Sequence, residues 1–247
     1  MRNIKLEIEY DGTNFSGWEI QPERKTIRDE IERALGNLLN EDIKLIGASR
    51  TDAGVHAISQ IANFKTNTKF PVSKIKGALR ELLSDIYVKN VAQVPLEFDA
   101  RKSARSKVYF YRVLLGKSPL LQNRVWEYKF PLDTKRIERA IPLFLGVHQF
   151  DLFSHKDKGE CEIKNFTVGR CDDIIVPTLH TEELIFEIEA NRFLRKMVRM
   201  IVGALTEIGR GKIEAEDIEL ALELKGNPAH KCRSAPPQGL YLKEVKY

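Results

Sequence analysis

Cysteine is scarce in this chain: Cys161, Cys171 and Cys232 are the only three in 247 residues, and no two form a C-x-x-C pair. An odd, scattered set excludes a disulfide framework and fits reduced thiols. Taken with His155 and His180, Cys161 and Cys171 match no zinc-site spacing, so no metal is expected. Rossmann and P-loop glycine motifs are missing as well, and no cofactor is expected. Long hydrophobic runs are absent too; nothing approaches the roughly 18 apolar residues of a spanning helix. The opening Met1-Arg2-Asn3-Ile4-Lys5-Leu6-Glu7 lacks the apolar core of a signal peptide, so a cytoplasmic protein without a membrane partner is expected. What is present is an ordinary folding balance, 43% hydrophobic and 30% charged. At about 150 residues per domain, this length suggests one large domain or two modest ones.

Charge of neither sign dominates: 40 Lys and Arg against 35 Asp and Glu leave a net +5. So mild an excess does not by itself establish a nucleic-acid partner. Its distribution says more. Arg101, Lys102, Arg105 and Lys107 fall within seven residues that contain no acid, and Arg192, Arg195, Lys196 and Arg199 fall within eight. Such clusters neutralise phosphates and release counterions. Either one alone reads as a solvated basic face; the two together favour RNA or DNA.

Alternation from Ile4 to Tyr10 predicts a half-buried strand, ended by the turn Asp11-Gly12-Thr13-Asn14. Thr26 with Asp29 predicts a capping box opening a helix whose apolar face is Ile27, Ile31, Ala34, Leu35 and Leu38. Strands are expected near Ile43–Ile46, Gln60–Lys65 and Ile86–Val94, and a helix from Ser73 to Leu83. Beyond residue 100 the pattern predicts strands at Lys107–Leu115, Ile163–Val176, Glu183–Ala190 and Gly239–Val245. Helices are expected at Asp133–Leu145, Arg192–Ile208 and Ala215–Leu224. In the long one, Leu194, Met197, Val198, Ile201, Leu205 and Ile208 form a core stripe opposite Arg192, Arg195, Lys196 and Arg199. No Glu interrupts that basic stripe between 190 and 206, which favours an anionic partner or a buried carboxylate. The reading is α+β: two similar halves, 1–100 and 101–247, with helices on mostly antiparallel sheet and a basic cleft between them.

The sharpest segment is Ser49-Arg50-Thr51-Asp52-Ala53-Gly54-Val55-His56-Ala57, a loop between two expected strands. An arginine beside an aspartate keeps the carboxylate ionised for attack or proton abstraction. The same residues also fit a plain Arg50–Asp52 ion pair steadying a turn, which is the commoner use of Asp and Gly in loops.

Here the chain resembles the TruA family of tRNA pseudouridine synthases. The family block G-R-T-D-A-G-V-H is matched from Arg50 to His56, with Ser49 in place of the leading glycine. Before it, Glu9 to Trp18 follows the pattern E-Y-D-G-x-x-(F/Y)-x-G-W-Q, with Glu19 in place of Gln. A basic stretch with Y-x-Y follows at Arg101 to Tyr111, then M-V-R-x-(I/M)-V-G at Met197–Gly203 and G-L-(Y/F)-L at Gly239–Leu242. Asp99 stands where relatives often carry His before the A-R pair of Ala100 and Arg101.

The resemblance implies the pseudouridine synthase fold and a set of roles. Asp52 would be the catalytic aspartate, Tyr109 would pack against the target base and Arg199 would pair with the aspartate. Arg50 would act in extruding the nucleotide, while the basic clusters, not the resemblance, make Arg101, Lys102, Arg105, Arg192, Arg195 and Lys196 the expected phosphate contacts. The resemblance also implies a homodimer on the anticodon arm of tRNA, isomerising uridines 38, 39 and 40 without metal or cofactor. His56, Phe15 and Trp18 read as structural. From the residues alone, Tyr109 and Tyr111 are also alternating strand positions and Arg199 a helix-face charge. Two other readings stay open: a non-catalytic RNA binder, and a hydrolase, which would need a second carboxylate beside Asp52.

Overall fold

Every second residue of Ile4-Lys5-Leu6-Glu7-Ile8 is fully buried, which seats the first strand, β1 (Arg2–Tyr10), on a core. The computed structural model describes residues 1–170, 182–224 and 233–247. After β1 come α1 (Ile27–Leu39), β2 (Ile46–Gly47), β3 (His56–Thr66), α2 (Val72–Leu82) and β4 (Ile86–Val94). Then follow β5 (Ser106–Leu115), β6 (Trp126–Tyr128), α3 (Thr134–Ala140), β7 (Gly146–Gln149), β8 (Glu160–Arg170) and β9 (Glu182–Ala190). The chain closes with α4 (Met197–Gly209), α5 (Ala215–Leu222) and β10 (Leu240–Lys246). Expected and observed elements correspond closely where the hydrophobic period is sustained, and the class is α+β on mostly antiparallel sheet. Residues 171–176 of the strand expected at Ile163–Val176, together with Cys171, His180 and Cys232, lie outside the described residues.

Two compact units form, one from Met1–Arg105 with Tyr241–Tyr247, the other from Ser106–Leu240. The expected halves kept the last strand with the second; instead β10 pairs in parallel with β3, Tyr241 opposite His56. In this first unit the strand order is β4-β1-β3-β10, with β1 antiparallel to both β3 and β4. The register sets Tyr10 opposite Ala57, so the loop after β1 and the loop before β3 leave the sheet at the same end. Helix α2 packs against β4 and α1 against α2.

The first turn of α1 departs from expectation. Thr26 is its N-cap residue, but its side chain makes no capping bond. The free N–H groups are taken by main chain instead: Ile27 donates to the Gly17 carbonyl at 3.1 Å and Arg28 to that of Trp18 at 3.1 Å. A neighbouring loop thus satisfies donors that a capping box would otherwise serve.

In the second unit the antiparallel order is β5-β9-β8-β7, with β6 parallel to β5. Strands β6 and β7 were not expected; at three and four residues they are too short for a legible alternation. The helix expected over Asp133–Leu145 is α3 followed by a tighter turn at Ile141–Phe144, where Pro142 cannot donate to an α-helical ladder. Most consequential, α4 begins at Met197 rather than Arg192. Lys196 takes a left-handed φ of 63° at its N-cap, while Arg195 N–H is held by Asp157 Oδ2 at 2.9 Å. Arg192, Arg195 and Lys196 therefore lie on the approach to the helix, and only Arg199 is on it. The apolar stripe from Leu194 to Ile208 is buried as expected.

Candidate active site

The loop joining β2 to β3 carries Asp52 and is held on every side. Val55 N–H donates to the Asp52 carbonyl at 3.1 Å, closing a turn whose third residue, Gly54, has a φ of 77°. A left-handed third position is the type II pattern, which favours glycine. Before the turn, Gln60 grips Ser49 twice: its side-chain oxygen accepts from Ser49 N–H at 3.2 Å and its amide donates to the Ser49 carbonyl at 2.7 Å. Gln60 is fully buried on β3, so this pair of bonds works as a fixed clamp. The Thr51 carbonyl accepts from Trp18 N–H at 3.0 Å, and the Thr51 hydroxyl bonds that of Tyr10 at 2.8 Å. Asp52 itself is half-buried, and the turn that carries it is bonded at both ends.

Two glycines make this closeness possible. A Cβ on Gly12 would sit 2.0 Å from the Val55 carbonyl oxygen, and one on Gly17 would sit 2.7 Å from that of Thr51. His56 is buried; its Nδ1 accepts from Gly12 N–H at 3.1 Å and its ring stacks on Tyr241 at 4.6 Å. Phe15 and Trp18 are also buried, as packing residues. Gly47 leaves the room that Trp18 fills, since a Cβ there would lie 2.6 Å from the indole nitrogen.

Arg50 does not take the partner that the segment alone suggests. Its Nε donates to Glu19 Oε1 at 2.8 Å. Arg101 Nη2 approaches the same oxygen at 3.6 Å, and Arg28 Nη1 donates to Oε2 at 3.1 Å. Three guanidinium groups thus converge on Glu19. Arg101 and Lys102 leave a turn that Asp99 organises, its Oδ1 accepting from both of their N–H groups at 2.9 and 2.8 Å. Asn63, fully buried, accepts from Ala100 N–H at 2.8 Å and ties that turn to β3. Exposed Arg105 is fixed through its backbone, which donates to the Lys246 carbonyl at 2.8 Å. Tyr247 donates to the Ala100 carbonyl at 2.8 Å; burial pushes its phenol well above the usual range, and the nearby Asp99 charge adds to the shift.

In the second unit, Tyr109 and Tyr111 share a face of β5, opposite Ile188 and Phe186 of β9. Tyr109 is buried edge-on against Phe193, ring centres 5.0 Å apart. Tyr111 is fully buried and donates to the Pro236 carbonyl at 2.6 Å. Burial holds the Tyr111 phenol well above its usual pKa, with the Arg199 charge pulling the other way. Arg199, in the first turn of α4, donates from Nε to the Ala235 carbonyl at 2.7 Å, while Ala235 N–H donates back to the Arg199 carbonyl at 2.9 Å. The 233–235 segment can lie so close because Gly203 has no Cβ, which would stand 2.0 Å from the Arg233 oxygen. Arg192 and Arg195 are exposed and Lys196 half-exposed in the loop before α4. Among the described residues no group of three or more His, Cys, Asp or Glu is arranged to hold a metal, and no helix is long and apolar enough to cross a membrane.

Sequence reasoning passed over Gln60, Asn63 and Tyr10, and treated Glu19 only as a departure from a pattern. A Gln and an Asn inside an otherwise apolar strand were the available signal, since buried amides must be hydrogen-bonded.

Comparison with known proteins bears on this arrangement. Residues 7–101 and 140–247 match a family model described as tRNA pseudouridine synthase. The chain is 42% identical over 250 residues to tRNA pseudouridine synthase A of Caldicellulosiruptor bescii, covering 100% of both proteins. It is 42% identical over 253 residues to the protein of the same name from Acetivibrio thermocellus, again covering 100% of each. With that of Geotalea uraniireducens the identity is 40% over 250 residues, at 100% coverage of both.

Proposed function

The chain belongs to the tRNA pseudouridine synthase family, and from that premise we propose that it isomerises uridines 38, 39 and 40 in the anticodon arm of tRNA, with Asp52 as its catalytic carboxylate. The construction of the Asp52 loop is the observation that carries this assignment: buried amide, hydroxyl and glycine contacts hold one half-buried aspartate in place. Rigid support of this kind is what a reacting group needs.

The reaction breaks the N1–C1′ bond, turns the uracil and joins C5 to C1′; C5 loses a proton and N1 gains one, so the product is an isomer. Asp52 starts it as a carboxylate, by adding to C1′ or by removing the C2′ proton to give a glycal. Tyr109 packs on the uracil and assists loss of the C5 proton, and Arg199 is the cationic partner of the carboxylate in the reaction. The target base must leave its stack, at a cost of about a few kcal/mol, which RNA contacts offset. Arg50 acts in that extrusion. Arg101, Lys102, Arg105, Arg192, Arg195 and Lys196 take phosphates. A cytoplasmic homodimer completes the reading; sedimentation should return twice the 28.4 kDa chain mass.

Replacing Asp52 by Asn tests the assignment, with isomerisation and tRNA binding measured separately. Turnover should fall to background while the tRNA Kd stays within about threefold. Undiminished turnover would remove Asp52 from the chemistry, and release of free uracil by the native protein would identify a hydrolase.

A further inference from the structure

The two oxygens of Glu19 face different parts of the first unit. Oε2 accepts from Arg28 Nη1 at 3.1 Å. Arg28 belongs to α1, where its Nε also donates to Glu32 Oε1 at 2.7 Å, and Glu32 in turn accepts from Leu45 N–H at 2.6 Å. The backbone beside Glu19 is equally constrained, because Trp18 donates to the Thr51 carbonyl and accepts from Arg28 N–H. Glu19 Oε1 is therefore a carboxylate oxygen held by a helix and aimed at the Asp52 loop. Arg50 and Arg101 lie on that oxygen. Arg50 is bound through Nε alone and its side chain stays 64% exposed, so among the described residues both of its Nη groups remain available to an incoming anion.

A guanidinium held at Nε loses its freedom to swing while its bidentate Nη edge still faces outward. We propose that Glu19 is a positioning residue: it aims Arg50 at the RNA, transmitting the rigidity of α1 through Arg28 to the group that drives the target uridine out of its stack. The inference rests on the extrusion role given to Arg50 above. An exposed ion pair adds little to stability. Its use here is orientation.

The experiment compares Glu19→Ala, Glu19→Gln, Arg50→Ala and the Ala/Ala double variant on two tRNA substrates, one native and one with the target uridine mismatched and already unstacked. On native tRNA, Glu19→Ala should lower kcat about tenfold with KM within about threefold. Glu19→Gln, which keeps an acceptor, should fall between wild type and Glu19→Ala. The double variant should be no slower than Arg50→Ala, since both changes disable one device. On the mismatched substrate the Glu19→Ala deficit should shrink to about threefold or less, because less extrusion is needed. A poorly folded variant would be slow on both substrates, and an equal deficit on both overturns the proposal. So does a wild-type rate for Glu19→Ala while Arg50→Ala is impaired, an additive double variant, or Glu19→Gln no faster than Glu19→Ala. A wild-type rate for Arg50→Ala instead removes the extrusion role itself and leaves the assignment of Asp52 untouched.

Discussion

Gly12 and Gly17 stand where the loop after β1 presses on the loop carrying Asp52, and neither contact tolerates a methyl group. With its Cβ 2.0 Å from the Val55 carbonyl oxygen, an alanine at 12 must push backbone rather than a pliable side chain. Gly12→Ala should cost about 1–3 kcal/mol, as overpacking does, measured as a lower urea midpoint. Gln60 fails in another way. Gln60→Leu fills the same space but removes both bonds to Ser49, at about 0.5–1.5 kcal/mol for each bond lost. Turnover should fall along with stability, because Ser49 leads into Arg50 and Asp52. Neither residue advertises its role in the sequence: Gly12 reads as a turn glycine, Gln60 as one polar position in a strand. Both roles come from partners more than ten residues away, Gly12 and Val55, Gln60 and Ser49. The pairing of Arg50 with Glu19 rather than Asp52 was illegible for the same reason.

At the scale of elements, α4 shows what periodicity can and cannot tell. Leu194 falls in phase with Met197, Val198 and Ile201, so the pattern extends a helix back to Arg192. The chain instead reaches the helix through a bonded loop, in which Asn191 Oδ1 accepts from Arg192 N–H at 2.7 Å and Asp157 fixes Arg195. A residue buried ahead of a helix keeps its hydrophobic phase without keeping helical dihedrals. The distinction has a measurable consequence. Ile201→Ala, in the buried stripe of α4, should destabilise by about 2–5 kcal/mol. Arg195→Ala, on the exposed approach, should change stability by no more than about 0.5 kcal/mol. Its effect belongs to RNA binding: the slope of log K against log salt should flatten by about one phosphate contact. An unchanged slope would take Arg195 out of the interface. Strands β1, β4, β5 and β9 were legible because each runs for nine or ten residues, long enough to show even an interrupted or approximate alternation. Strands β6 and β7 each lie along a longer neighbour, β5 and β8, a pairing that three or four residues do not announce.

Across the whole molecule, Tyr111, Tyr128 and Tyr247 all have phenols raised above the ordinary value, with burial the leading cause in each. A buried phenol stays protonated in the folded chain when the unfolded chain has released its proton. Above about pH 10, the unfolded state therefore binds fewer protons and folding stability declines as pH rises. The contribution is fully present below that pH. Unfolding free energy measured from pH 8 to 11 should fall at the alkaline end, and Tyr247→Phe should make the fall shallower while losing the bond to the Ala100 carbonyl. An identical alkaline slope in wild type and Tyr247→Phe would contradict this account.

From composition, periodicity and motif spacing alone came the α+β class, the run of long strands and helices, the core stripe of α4 and the family resemblance. These depend on neighbours along the chain, and short-range order is written directly into residue order. Only folding decided that β10 would pair with β3, that main-chain carbonyls of Gly17 and Trp18 would cap α1, and that Glu19 would gather Arg28, Arg50 and Arg101. Each of these joins groups distant in sequence, and which donor meets which acceptor is settled by the packing that brings them within three or four ångströms of one another.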